Sequence, residues 1–217
     1  MSKPDLKRVK KSPVVATYIY NYANGEKAFE KLRREDKTFF FRTWDQESGA
    51  WKYSIKGLET PLYNEDKIKD SKTICICEGE KDCDTLAQFG YTAVTNLDGA
   101  GKWKDSYTQA LVGKSIVIFT DNDEQGIKHG QLVARKLAGH TNSIKIVEFP
   151  ELPEKGDVTD YLETHPLEDL KIKVKGSPAY VPNPEEILEQ ETLEKQENEE
   201  ALGEEPLQAT YEDFKEL

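Results

Sequence analysis

The sequence has little from which to build a disulfide framework, a zinc cluster or a membrane span. Only three cysteines occur among 217 residues, Cys75, Cys77 and Cys83. An odd, closely grouped set does not make a disulfide scaffold. Their C-x-C spacing is not the paired C-x-x-C of a structural zinc site, and His129, His140 and His165 stand far from them along the chain. No apolar run approaches the roughly 18 residues that cross a bilayer, so no membrane partner is expected. Met1 to Lys11 is polar and basic, without the apolar stretch of a secretory signal, and the expected compartment is cytoplasmic. Hydrophobic residues make up 36% of the chain against 33% charged. That supply supports a core for about two thirds of the length.

Charge of both signs is plentiful but unevenly spread. Residues 1–70 carry 15 Lys+Arg and 11 Asp+Glu, residues 71–170 carry 10 and 17, and residues 171–217 carry 5 and 13. The net charge of −11 argues against a chain coated in nucleic-acid-binding surface. The basic front leaves room for such a surface there, and an acidic middle is what a group of metal-binding carboxylates produces.

Four segments follow from composition and periodicity. Residues 1–12 read as a basic disordered tail. Residues 13–70 read as a small, basic, β-rich subdomain. Val14–Tyr20 is β-branched and aromatic, Asn24-Gly25 is a turn signal, Thr38–Trp44 is a further strand, and Trp51–Ile55 returns after Glu47-Ser48-Gly49. Residues 71–170 alternate strands with helices. The strands are Thr73–Cys77, Thr92–Thr95, Ser115–Thr120 and Ser143–Phe149; the helices are Glu80–Phe89, Tyr107–Val112, Gln125–Leu137 and Asp157–Leu162. This rhythm defines an α/β fold, a parallel sheet with helices on both faces. Cys75 and Cys77 then share one face of a buried strand. Residues 171–217 read as an acidic linker or tail, with residues 185–200 open to a solvated helix.

The acids of the α/β segment are placed where such a sheet does chemistry. Glu78 follows the first strand in Cys77-Glu78-Gly79-Glu80-Lys81-Asp82, and Asp121 and Asp123 follow the third in Asp121-Asn122-Asp123. Ligands of open parallel sheets bind beyond the carboxyl ends of strands. For Glu78 to work with the Asp pair, the first and third strands must be neighbours. Gathered carboxylates repel one another, and a divalent ion with hard oxygen ligands cancels that repulsion. Such ions can clamp an in-line phosphoryl displacement. The plainer alternative is that Asp121 and Asp123 cap the helix that begins near Gln125 and that Asp157 caps the helix it opens. Gly99-Ala100-Gly101-Lys102 is not a phosphate-binding P-loop, because Asn96 and Trp103 stand where that motif needs Gly and Ser/Thr.

Strand-Glu78-Gly79-x-x-Asp82, strand-Asp121-x-Asp123-x-x-Gly126 and Asp157-x-x-Asp160-Tyr161-Leu162 together resemble the Toprim domain, over roughly residues 73–163. The stretch Lys52-Tyr53 to Glu59-Thr60-Pro61-Leu62-Tyr63 is similar to the segment that precedes Toprim in DnaG-type primases, with a spacing one residue longer. Residues 14–163, including Asp98–Trp103, are similar to the primase region of phage and plasmid primase-helicases. The resemblance implies that Glu78 is the acid/base residue and that Asp121 and Asp123 hold Mg2+ (or Mn2+), with Asp82 and Asp157 supporting the metal. A second acid usual in the last motif is Thr159 here. Arg42, Lys52, Lys56, Lys81, Lys102 and Lys128 become candidates for nucleic-acid or nucleotide phosphates; each alone also reads as ordinary surface charge.

The resulting expectation is a Mg2+-dependent, primase-type nucleotidyltransferase module. Its expected partners are a single-stranded DNA template, nucleoside triphosphates and a replicative helicase or other replication protein. The alternatives are a Toprim nuclease, and a non-catalytic Toprim module that recruits partners through its acidic tail.

Overall fold

The computed structural model describes residues 12–97, 99, 101–183 and 192. The expected N-terminal tail (but for Ser12), Asp98 and Ala100, and nearly all of the acidic stretch from Pro184 onward lie outside the described residues.

Two sheets make up the unit that ends at Tyr180. The first is antiparallel, in the order β1 (Val14–Asn21), β2 (Lys27–Arg34), β3 (Phe39–Asp45) and β4 (Ala50–Lys52). Its second strand was not singled out by periodicity, because Lys-Ala-Phe-Glu-Lys-Leu-Arg-Arg is too charged to read as a strand. The charges are accommodated by partners. Buried Glu30 accepts from Lys27 Nζ at 2.5 Å and from Arg42 Nε at 2.6 Å. Tyr20 stacks on Phe29 with ring centroids 4.5 Å apart. A 3₁₀ turn, Glu65–Asp70, leads to the second sheet.

That sheet is parallel, in the order β6 (Ala93–Val94), β5 (Thr73–Ile76), β7 (Ser115–Phe119) and β8 (Ser143–Val147). The first and third of its strands in chain order, β5 and β7, are therefore neighbours, pairing Thr73 with Ser115 through Ile76 with Ile118. Its strands are apolar on both faces, as a doubly covered sheet requires. Alternate residues feed two cores. Cys75, Cys77, Val117 and Phe119 pack with α1 (Glu80–Gln88), α4 (Val158–Thr164) and the aromatic residues of the antiparallel sheet. Ile74, Ile76, Ile116 and Ile118 pack with α2 (Asp105–Ala110) and α3 (Glu124–Leu137). The three cysteines are free and buried on the first of these faces. Helix α5 (Leu167–Gly176) runs past the expected limit of the α/β segment at residue 170, because Leu170 is buried in the same core and Val174 packs against it.

Two glycines sit four residues apart inside α3, where each costs about 1 kcal/mol relative to alanine. Close approach to β7 explains both. A Cβ on Gly130 would fall 2.4 Å from Thr120 Cγ2, and one on Gly126 would fall 2.3 Å from Glu78 Oε1 and 2.7 Å from the Asp121 carbonyl.

Candidate active site

The ends of β5 and β7 bring Glu78 and Asp121 side by side. The Asp121 N–H donates to Glu78 Oε1 at 3.1 Å. Thr95, just past β6, holds the Glu78 carbonyl through its hydroxyl at 3.0 Å. Burial pushes the Glu78 carboxyl above its ordinary value; the Asp121 N–H opposes this and the charge of Asp123 adds to it. Burial pushes Asp121 up to about 8, with Glu78, Asp82, Asp157 and Asp123 all contributing repulsion. The charges of the other four acids expected from sequence therefore all act on Asp121.

Each of the remaining three is held differently. Asp82, on the first turn of α1, is buried and accepts from the Thr159 hydroxyl at 2.6 Å. Burial first, then the charge of Asp157, pushes its carboxyl up to about 7. Asp123 caps α3, accepting from the Gly126 N–H at 2.8 Å. Asp157 caps α4 in a reciprocal box with Asp160. Capping and clustering are thus not alternatives here: the caps fix the carboxylates at the strand ends.

Among the described residues, no three His, Cys, Asp or Glu side chains are drawn up as a ligand set for a metal ion. The donor set still fits a hard divalent ion. It is all carboxylate, burial and neighbouring charge raise Glu78, Asp82 and Asp121, and Gly126 leaves bare the space that a side chain would take from Glu78.

The six basic candidates divide. Lys81 lies at the site, 3.6 Å from Asp157 Oδ2 and 3.9 Å from Asp160 Oδ1. Lys128 pairs with Glu124 on the exposed side of α3. On the antiparallel sheet Arg42 holds Glu30 and lies 4.0 Å over the Trp51 ring, while Lys52 pairs with Asp45. Lys56 is exposed in the loop that follows. Lys102 is exposed in a loop held from below: Asn96 Nδ2 donates to the Gly99 and Lys102 carbonyls. His129 closes that arrangement. Its Nδ1 accepts from the Gly101 N–H at 3.1 Å and its Nε2 stands 3.2 Å from Asn96 Oδ1, which a neutral ring protonated on Nε2 satisfies on both sides.

Sequence reasoning passed over Thr159, Glu80, Asn96 and His129. Thr159 carried a signal, since it occupies the position of an expected acid. Its hydroxyl orients Asp82 instead of adding a carboxylate.

Residues 73–152 match the Toprim domain. The matched residues span the parallel sheet and its helices up to α3 and β8, and the antiparallel sheet precedes them in the chain. Among curated proteins, the chain is similar to the DNA primase DnaG of Staphylothermus marinus, 31% identical over 93 residues, which are 43% of this chain and 20% of that protein. The chain thus matches about a fifth of that relative's length. The fold extends further than the sequence match. The Aquifex aeolicus primase structure, containing zinc-binding and RNA polymerase domains, superposes with a TM-score of 0.56 at 17% identity, over 76% of this chain and 40% of that one. A chain from the bacteriophage T7 lagging-strand DNA polymerase complex, with primase domains bound to an RNA/DNA hybrid and dTTP, gives 0.53 at 20% identity, over 76% and 78%.

Proposed function

We propose that this chain is the catalytic module of a primase-type nucleotidyltransferase, joining nucleoside triphosphates on a single-stranded DNA template. The observation that carries the reading is Glu78 beside Asp121 at the carboxyl ends of two adjacent parallel strands, with the charges of Asp82, Asp157 and Asp123 acting on Asp121.

A pair of divalent ions, Mg2+ or Mn2+, would supply charge neutralisation for the attacking and leaving oxygens. Asp121 and Asp123 would hold it, and Asp82 and Asp157 would steady those two. Glu78 keeps Oε1 on the Asp121 amide, which leaves Oε2 to take a proton from the attacking 3′-hydroxyl. Its raised proton affinity suits that task. Lys81, beside Asp157, would face triphosphate charge. The antiparallel sheet would guide the template. A groove lined by Arg34, Phe39, Phe40, Arg42 and Tyr53 combines cationic groups with rings on which bases can stack. A replicative helicase or another replication protein would be the macromolecular partner.

The test is incorporation of labelled nucleotides on single-stranded DNA with Mg2+ or Mn2+. Short products that vanish in Asp121→Ala/Asp123→Ala are expected. Cation-dependent loss of the template without products would instead establish a nuclease.

A further inference from the structure

Glu78, Glu80 and Asp82 alternate along one short stretch. Glu78 and Asp82 belong to the carboxylate group; Glu80 turns away from it. It opens α1, is 6% exposed, and its Oε1 accepts from both the Tyr20 hydroxyl and Lys31 Nζ, each at 2.6 Å. Both donors lie on the antiparallel sheet and both are confined. Tyr20 is fully buried, between Phe29 and a Tyr63 ring 5.3 Å away. Lys31 Nζ sits 4.5 Å over the Phe39 ring, with its side chain 11% exposed.

The helices around the site differ in how they begin. The caps of α3 and α4 are Asp123 and Asp157, whose side chains accept from first-turn amides. The cap of α1 is Gly79, with extended backbone and no side-chain bond. The turn that connects Glu78 to Asp82 therefore lacks a capping side chain. Thr95 holds its start at the Glu78 carbonyl and Thr159 holds its end at Asp82, and between them the carboxylate of Glu80 ties it to the antiparallel sheet. Charge-assisted bonds in a buried setting are short and strongly orienting.

We propose that Glu80 is a positioning residue, a brace that fixes the first turn of α1, and with it Glu78 and Asp82, against the antiparallel sheet through Tyr20 and Lys31. The proposal rests on reading the carboxylate group as a divalent-cation site. It assigns Glu80 no contact with the cation, although its place between two site acids invites that assignment. It also gives the antiparallel sheet a second task, holding the geometry of the acids from behind.

The experiment measures Mn2+ affinity by titration calorimetry and amide exchange over residues 78–83 in the metal-free full chain. The proteins are wild type, Tyr20→Phe, Lys31→Met, Glu80→Gln, Lys31→Arg and Lys31→Met/Glu80→Gln. Partners that orient ligands from behind typically govern affinity about 10- to 100-fold. Tyr20→Phe, Lys31→Met and Glu80→Gln are each expected to weaken Mn2+ binding about tenfold at unchanged stoichiometry. They are also expected to speed exchange over residues 78–83 while leaving β7 as it was. Lys31→Arg keeps the charge and should bind as wild type does. The double variant should lie nearer wild type than Lys31→Met, because it leaves no buried carboxylate without its cation. Loss of binding in Glu80→Gln alone, with Tyr20→Phe and Lys31→Met at wild-type affinity, makes Glu80 a ligand and overturns the brace. Unchanged affinity and exchange in every variant overturns it too. A wild type that binds no Mn2+ overturns the cation-site reading instead, and the exchange rates then decide the brace by themselves.

Discussion

The two sheets bury charge by opposite rules. The parallel sheet keeps charge out of its strands almost entirely: Ser-Ile-Val-Ile-Phe and Thr-Ile-Cys-Ile carry none, and the acids begin where the strands end. The antiparallel sheet carries charge along its strands and neutralises it by pairing, Glu30 with Lys27 and Arg42 within the sheet and Lys31 with Glu80 outside it. The first arrangement is stabilised by apolar area and tolerates repulsion at its rim. The second depends on charged partners, from Lys27 on the same strand as Glu30 to Glu80 on α1.

Substitutions should separate the two regimes. Ile116→Ala empties a fully buried position between β5 and α3 and is expected to cost about 2–5 kcal/mol in chemical denaturation. Gly126→Ala should cost about 2 kcal/mol or more through the clash with Glu78 and the Asp121 carbonyl, and should abolish Mn2+ binding in calorimetry. A variant that folds stably and still binds would remove the glycine from the site. Glu30→Ala, on the antiparallel sheet, should cost about 1–3 kcal/mol, because Lys27 and Arg42 lose their partner but still reach water. Burial raises the Glu30 carboxyl, but the bonds from Lys27 and Arg42 outweigh it and hold it below its ordinary value. The stability it contributes is therefore present above that ordinary value and is lost as pH falls through the lower value of the fold.

The smallest effect concerns His129. Burial lowers its proton affinity. The stability carried by the neutral ring is complete above about 6.5 and lost as pH falls through its lower value in the fold. Acidification from about pH 7.5 to about 5.5 should lower the melting temperature of wild type more than that of His129→Gln. Equal drops would mean that the ring does not hold the Gly101 loop.

The same contrast explains what could be read from sequence. The parallel strands, their helices and the neighbouring of β5 with β7 were legible because apolar runs and end-of-strand acids are local signals. Glu78, Asp121 and Asp123 could be picked out for that reason, whereas Asp82 and Asp157 were reached through the resemblance to the Toprim motifs. Strand β2 was not, since its charges make sense only beside Arg42 and Glu80. Helix α5 was not read, because Leu170 and Val174 are a sparse stripe in a lysine-rich text. Arg42 and Lys52 were read as candidates for phosphate contacts, and both are engaged by acids that sequence cannot pair with them. Thr159 and Glu80 act through contacts 77 and 60 positions away, beyond any local pattern.

The most direct test of the central claim is nucleotide incorporation on single-stranded DNA, with Mg2+ and with Mn2+, by wild type and by Asp121→Ala/Asp123→Ala. The account predicts short, template-dependent products from wild type that disappear in the double variant while its fold persists. Equal product from both proteins would contradict the role given to the two aspartates, and no product from wild type with either ion would contradict the primase-type reading of this chain.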